Sequence, residues 1–108
     1  MIAPPLFLPV AVLGVVDLAA LRPDGVPGGF LGAVPRPRTP RLMAGGEAYE
    51  FHRPAYPGDE ITAVGTLAWL QQKSGRSGSF VVIETETAFL RADGELLARM
   101  TETVLARL

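Results

Sequence analysis

The second half of the chain, residues 42–107, constrains the fold most. Its apolar residues recur with period two, and Gly, Pro, Asp and Ser cluster between the runs. Successive side chains of a strand point to opposite faces, so such alternation predicts half-buried strands. Residues 47–52 set Tyr49 and Phe51 on one face. Residues 60–70 set Ile61, Ala63, Leu67 and Trp69 on one face. Residues 79–90 set Val81, Ile83, Thr85, Thr87 and Phe89 against Val82, Glu84 and Glu86. Residues 54–58 and 74–78 are turns, and Asp93-Gly94 is a strong hairpin signal leading into a last strand over 96–107. The expectation is four antiparallel strands.

The first half behaves differently. Residues 5–21 are apolar around the whole circumference of a helix: Leu6, Phe7, Val10, Leu13, Val16 and Leu18, but also Leu8, Val12 and Val15. A helix of that kind is buried on all sides. Pro5 suits a first helical turn, Pro9 and Gly14 weaken the middle, and Pro23 stops it beyond Arg22. A sheet wrapped around this one helix is the economical way to bury it. The fold class is therefore α+β, a curved antiparallel sheet around a central helix.

A secretory signal is the rival reading of the N-terminus. It would want a basic region ahead of the apolar run, and Pro4, Pro5 and Pro9 would not interrupt it. A transmembrane helix needs about 20 apolar residues, and Asp17 ends this run first. A cytoplasmic protein is expected. Between the halves, residues 22–46 hold five prolines (Pro23, Pro27, Pro35, Pro37, Pro40) and no period of either kind. They read as a long loop, punctuated by Arg36, Arg38 and Arg41. Those arginines are either solvated or placed to meet the phosphates of a coenzyme A or carrier-protein thioester.

Composition narrows function. With 108 residues the chain is one domain, able to bury roughly 65% of its extended surface. Hydrophobic residues make up 48% and the mean hydropathy is +0.27, which calls for a partner subunit to cover apolar surface. A net charge of −1 gives no footprint for nucleic acid or an anionic membrane. With no Cys there is no disulfide framework, thiolate zinc site or Cys nucleophile, and one His builds no multi-His metal site. No metal and no cofactor is expected.

Several pieces stand in a telling order: Ile2-Ala3-Pro4-Pro5-Leu6-Phe7, then Gly45-Gly46, Tyr49-Glu50-Phe51-His52-Arg53-Pro54, Gly58-Asp59, Gly75-Arg76-Ser77-Gly78 and Asp93-Gly94. In this order they resemble the N-terminal-type, FAS1-like dehydratase domain of the MaoC-like dehydratases, over nearly the whole chain. The resemblance implies the hotdog fold, acyl-thioester chemistry and dimers of hotdog units. It implies substrate contacts from Phe7, Gly45, Gly46, Tyr49 and Arg76. Ala44 departs from the pattern, because many relatives have His before the Gly pair. Relatives also carry a strand and a helical segment ahead of the Ile-Ala-Pro-Pro motif. In catalytic relatives that segment supplies an Asp and a His that handle the proton and the water. This chain opens on the motif, and no residue maps to either. The domain, residues 1–108, is thus expected to be partial, with Met1 internal to a longer protein or marking a natural truncation.

The helix start points the same way. In catalytic relatives free N–H groups there polarise the thioester carbonyl, a task suited to a helix N-terminus. Pro4 and Pro5 have no N–H to give. Losing one such donor typically costs about 10²–10³ in rate.

Single residues have competing readings. His52 is the only imidazole: a general base for water addition, or a strand-end residue packed beside Arg53-Pro54. By resemblance it belongs to the strand signature, not to the catalytic pair. Glu84 and Glu86 are an acid–base pair or the solvent face of a strand, and the alternation favours the latter. Asp59 reads as a turn former, and Trp69 as core or interface. Residues 73–79 lack the Gly-x4-Gly-Lys spacing of a Walker loop and lead into a strand, though Arg76 remains placed to meet a phosphate.

The leading function is a non-catalytic hotdog subunit of an (R)-specific enoyl-thioester hydratase or 3-hydroxyacyl-thioester dehydratase. It would line the acyl tunnel and pair with a catalytic hotdog, taking an acyl-CoA or acyl-carrier-protein thioester. The alternatives are a fragment of a longer active hydratase, or a hotdog binding module without thioester chemistry.

Overall fold

A computed structural model describes residues 1–13, 18–20 and 41–107. Two short helical pieces precede the sheet: α1 (Phe7–Leu13) and a 3₁₀ turn over Leu18–Ala20. Four strands follow: β1 (Arg41–Phe51), β2 (Ile61–Gly75), β3 (Gly78–Arg91) and β4 (Leu96–Arg107). They form one curved antiparallel sheet in the order β1-β4-β3-β2. The four expected strands are therefore present, with β4 returning beside β1 to leave β1 and β2 at the edges.

The alternation places the core. Val81, Ile83, Thr85, Thr87 and Phe89 are all buried on the inner face of β3, and Met100, Val104 and Ala106 on that of β4. Two apolar clusters result. One joins Leu8 of α1 to Phe89, Leu97, Ala98 and Met100, and the other joins Val81, Ile83 and Ala106. On the outer face Glu86 is paired to Arg99 at 2.6 Å, as a solvent-side residue should be.

Three local expectations are corrected. First, the strand expected from residue 47 begins at Arg41, so 41–46 is sheet and not the end of the 22–46 loop. Arg41 to Ala44 pair with Arg107 to Val104, and pairing with β4 holds residues whose own pattern is mute. Likewise β2 runs to Gly75 because Gln71 to Ser74 pair with Val82 to Ser79. Second, the register slips between Leu67 and Trp69. One extra residue reverses every later face. Leu67 opposes buried Thr85, whereas Trp69 opposes Glu84 on the outer face. Third, α1 is not buried all round. Leu8 is buried, but Leu6, Phe7, Val10 and Val12 are exposed in the single chain. The remainder of the expected 5–21 helix outside 7–13 and 18–20, with Arg36 and Arg38, lies outside the described residues apart from the turn over residues 5 and 6.

The Asp93-Gly94 hairpin forms as expected. Gly94 sits at φ 87°, a left-handed conformation that favours glycine, and its N–H donates to Arg91 O at 2.8 Å. Asp93 accepts from the Glu95 N–H, which with Arg91 holds its carboxyl below the ordinary range.

Candidate functional site

A cleft of about 250 Å³ opens where the chain enters α1. One wall is residues 2–5 with Leu8, and the other is residues 51–55, leaving β1. Two sets of backbone bonds hold the walls. Ala3 N–H donates to Ala55 O at 2.8 Å, while His52 and Arg53 N–H groups both donate to Leu97 O, at 2.8 and 3.1 Å. The next turn is fastened by Asp59, whose carboxylate accepts from Tyr56 N–H at 2.9 Å. That is the turn-forming role expected for it. Arg91 then ties this turn to the β3–β4 hairpin through Asp59, Asp93 and Glu95, and Arg53 reaches Glu95 at 3.0 Å.

The cleft walls are chiefly apolar, and His52 and Arg53 bring the ionisable side chains. Among the described residues no carboxylate is bonded to the His52 imidazole. The helix start is also poor in donors. Pro4, Pro5 and Pro9 have no N–H, and Phe7 N–H donates to Pro4 O at 2.9 Å. Among the described residues no three His, Asp or Glu converge as metal ligands.

The residues singled out for substrate contact are dispersed. Tyr49 stacks on Phe51, ring centroids 5.6 Å apart, and Phe51 lines the cleft. Phe7 is half-exposed on the first turn of α1 and does not line it. Gly45 and Gly46 form the β1 bulge, roughly 17–20 Å along the strand from Phe51. A side chain at Gly45 would stand 3.0 Å from Thr103 Cγ2 and 3.1 Å from its carbonyl oxygen, so close strand approach accounts for that glycine. Arg76 lies in the β2–β3 turn, at the opposite end of the sheet.

A polar seam escaped sequence reasoning. On the inner face Glu47, Glu102, Thr85 and Leu67 are successive cross-strand partners, and Tyr49, Met100, Thr87 and Gly65 form the next row. Burial, then the charge of Glu47 and a hydrogen bond to it, pushes the Glu102 carboxyl up. Burial and the same glutamate push the Tyr49 phenol up, and its hydroxyl donates to Glu47 at 3.4 Å. The hydroxyls of Thr85 and Thr87 are buried without a hydrogen-bond partner among the described residues. Thr101-Glu102-Thr103 reads as an ordinary polar strand segment; only the register sets Glu102 opposite Glu47.

The family described as the FAS1-like, dehydratase domain region matches residues 1–100. The chain belongs to that family; it is a MaoC-like hotdog domain. Among solved structures it resembles the ChsH1-ChsH2 complex from Mycobacterium tuberculosis, with a TM-score of 0.65 and 21% identity over 96% of this chain and 58% of that one. It also resembles the MaoC-like dehydratase from Rhodospirillum rubrum, with a TM-score of 0.49 and 21% identity over 60% of this chain and 44% of that one. The hotdog domain thus spans less than two thirds of either relative's length. No curated protein sequence matches it. Among the described residues no helix is long and apolar enough to cross a membrane.

Proposed function

We propose that this MaoC-like hotdog domain is the non-catalytic partner in an (R)-specific enoyl-thioester hydratase or 3-hydroxyacyl-thioester dehydratase. It lines the acyl tunnel and pairs with a catalytic hotdog. The observation that carries this reading is the cleft at the helix start: apolar walls suited to an acyl chain, and an imidazole with no orienting carboxylate among the described residues. A general base needs a placed partner as well as a suitable pKa. The apolar side chains left exposed on α1 supply surface for a second hotdog. The similarity to one member of a two-protein complex agrees with a paired arrangement. In this reading Phe51 lines the acyl path with Tyr49 stacked on it, and the thioester is carried by coenzyme A or a carrier protein.

A second reading is favoured by length. Because the chain spans 58% of one structural relative, it also fits as one portion of a longer active hydratase. Crotonyl-CoA hydration, measured with the chain alone and mixed with a catalytic MaoC-like partner, separates the two. Silence alone and stimulation in the mixture is the expected result. Hydration by the chain alone, abolished by His52→Ala, would overturn the non-catalytic role.

A further inference from the structure

Three features remain outside the cleft: the inner polar seam, the exposed apolar face of α1, and the far corner of the outer face. The seam offers two carboxylates with two buried threonine hydroxyls and no third ligand group among the described residues, and α1 belongs to the pairing already proposed. The far corner carries more.

There the register aligns Arg41, Arg107, Phe80 and Lys73 as one row across all four strands. The next outer row is Met43, Leu105, Val82 and Gln71, and beyond it Trp69 opposes Glu84. Arg76 sits on the adjoining β2–β3 turn. Arg41, Lys73, Arg76 and Arg107 are exposed, and none of the four has a carboxylate partner among the described residues. Arg107 donates only to Ser77 O, at 3.0 Å. Two cations directly opposite each other on neighbouring strands are destabilising unless an anion lies between them, and Arg41 faces Arg107 in this way. The floor beside them is apolar, with Met43 62% and Trp69 40% exposed.

A basic rim beside an apolar floor selects an occupant that is acidic and amphipathic. These side chains stand on the face of the sheet, away from the free backbone groups along the β1 and β2 edges, so an occupant of the face is held by side chains alone. A helix laid on a sheet is the ordinary way to cover such a face. Four strands at about 4.8 Å spacing present about 14 Å, or about nine to ten residues of α-helix. A second copy docked about a two-fold axis through this corner would set cations against cations.

We propose that this outer corner is a docking surface for an acidic amphipathic helix of a partner protein. Carboxylates of that helix lie between Arg41 and Arg107 and near Lys73, and its apolar side chains cover Met43, Leu105 and Trp69. This surface lies on the opposite face and end of the sheet from the cleft, so it acts whether or not the cleft handles a thioester.

Trp69 is the one tryptophan of the chain and reports directly on the surface. The probe is a labelled peptide of about 18 residues, long enough to form helix, with Glu on one face and Leu on the other. Controls are a permuted peptide of the same composition and 3′-phosphoadenosine 5′-diphosphate. Expected are saturable anisotropy, a blue shift of Trp69 emission, and weakening by added salt. Arg41→Glu with Arg107→Glu should weaken binding about tenfold or more, while Arg41→Lys with Arg107→Lys retains most of it. Met43→Asp is the second probe should charge reversal alter the circular dichroism spectrum. Equal binding of both peptides, a silent Trp69, or binding of the nucleotide alone would overturn the proposal.

Discussion

The two ends of the sheet are made by the same strands with the same alternation, yet they differ in what covers them. At the helix end Leu8 and Ala55 close over Phe89, Leu97 and Ala98, and Arg91 knits the outer turns together. At the far end Val81, Ile83 and Ala106 form a smaller cluster with half-covered Leu42, and the rim holds Arg41, Arg107 and Lys73, without a carboxylate partner among the described residues. A period-two pattern predicts which face turns inward. It does not predict how much lands on that face. The helix end is thus expected to hold the stability, and the far end to answer to partners.

Substitutions can break that comparison. The largest effect is expected for Phe89→Ala, at 1% exposure: a loss of about 3–5 kcal/mol, read from urea unfolding. Ile83→Val at the far end should cost only about 0.5–1.5 kcal/mol. Equal losses from equal truncations at the two ends would show that the covering by Leu8 and Ala55 does not matter.

Between the ends, Thr85→Val removes a buried hydroxyl that has no partner among the described residues, at nearly constant shape. A gain of about 1 kcal/mol is expected, because the hydroxyl loses water on folding and gains nothing in return. A loss would reveal an unseen partner for that oxygen.

The next effect depends on pH. Glu102 has its carboxyl raised in the folded protein, so between the two pKa values the folded chain binds more protons than the unfolded one. Its share of stability is complete below the ordinary glutamate range and is lost as pH rises through the raised value. Glu102 should therefore lower the urea midpoint as pH rises through that range, and Glu102→Gln should remove that contribution. An unchanged slope would mean that neither burial nor Glu47 raises the Glu102 carboxyl in solution.

The smallest effect is expected at the rim. Arg41→Ala removes one of two facing cations and should raise stability by roughly 0.2–1 kcal/mol in low salt, with the gain shrinking as salt is added. A loss would show that Arg41 already has an anionic partner within the chain.

Much of this molecule was legible in its residues, and for local reasons. Alternation set the inner face of β3, Asp93-Gly94 set a hairpin, and Asp59 set a turn, because each depends on neighbours close in sequence. The ordered motifs from Ile2 to Gly94 pointed to the family that the match over residues 1–100 establishes. What remained hidden depends on other strands. The bulge between Leu67 and Trp69 turns the tryptophan outward, which no period within β2 announces. Pairing with Arg107 to Val104 makes a strand of Arg41 to Ala44. The exposure of α1 in the single chain contradicts its all-round apolarity, since hydrophobicity states what a helix needs and only packing states what it receives. The cleft joins residues 2–5 to residues 51–55, and Glu47 meets Glu102, through contacts about fifty residues apart in the chain. Sequence by itself determined the four strands and the inward face of β3, because side-chain alternation is a property of the strand. Tertiary structure decided the register, the cover and the meeting of charges, because each is a relation between strands that no single segment contains.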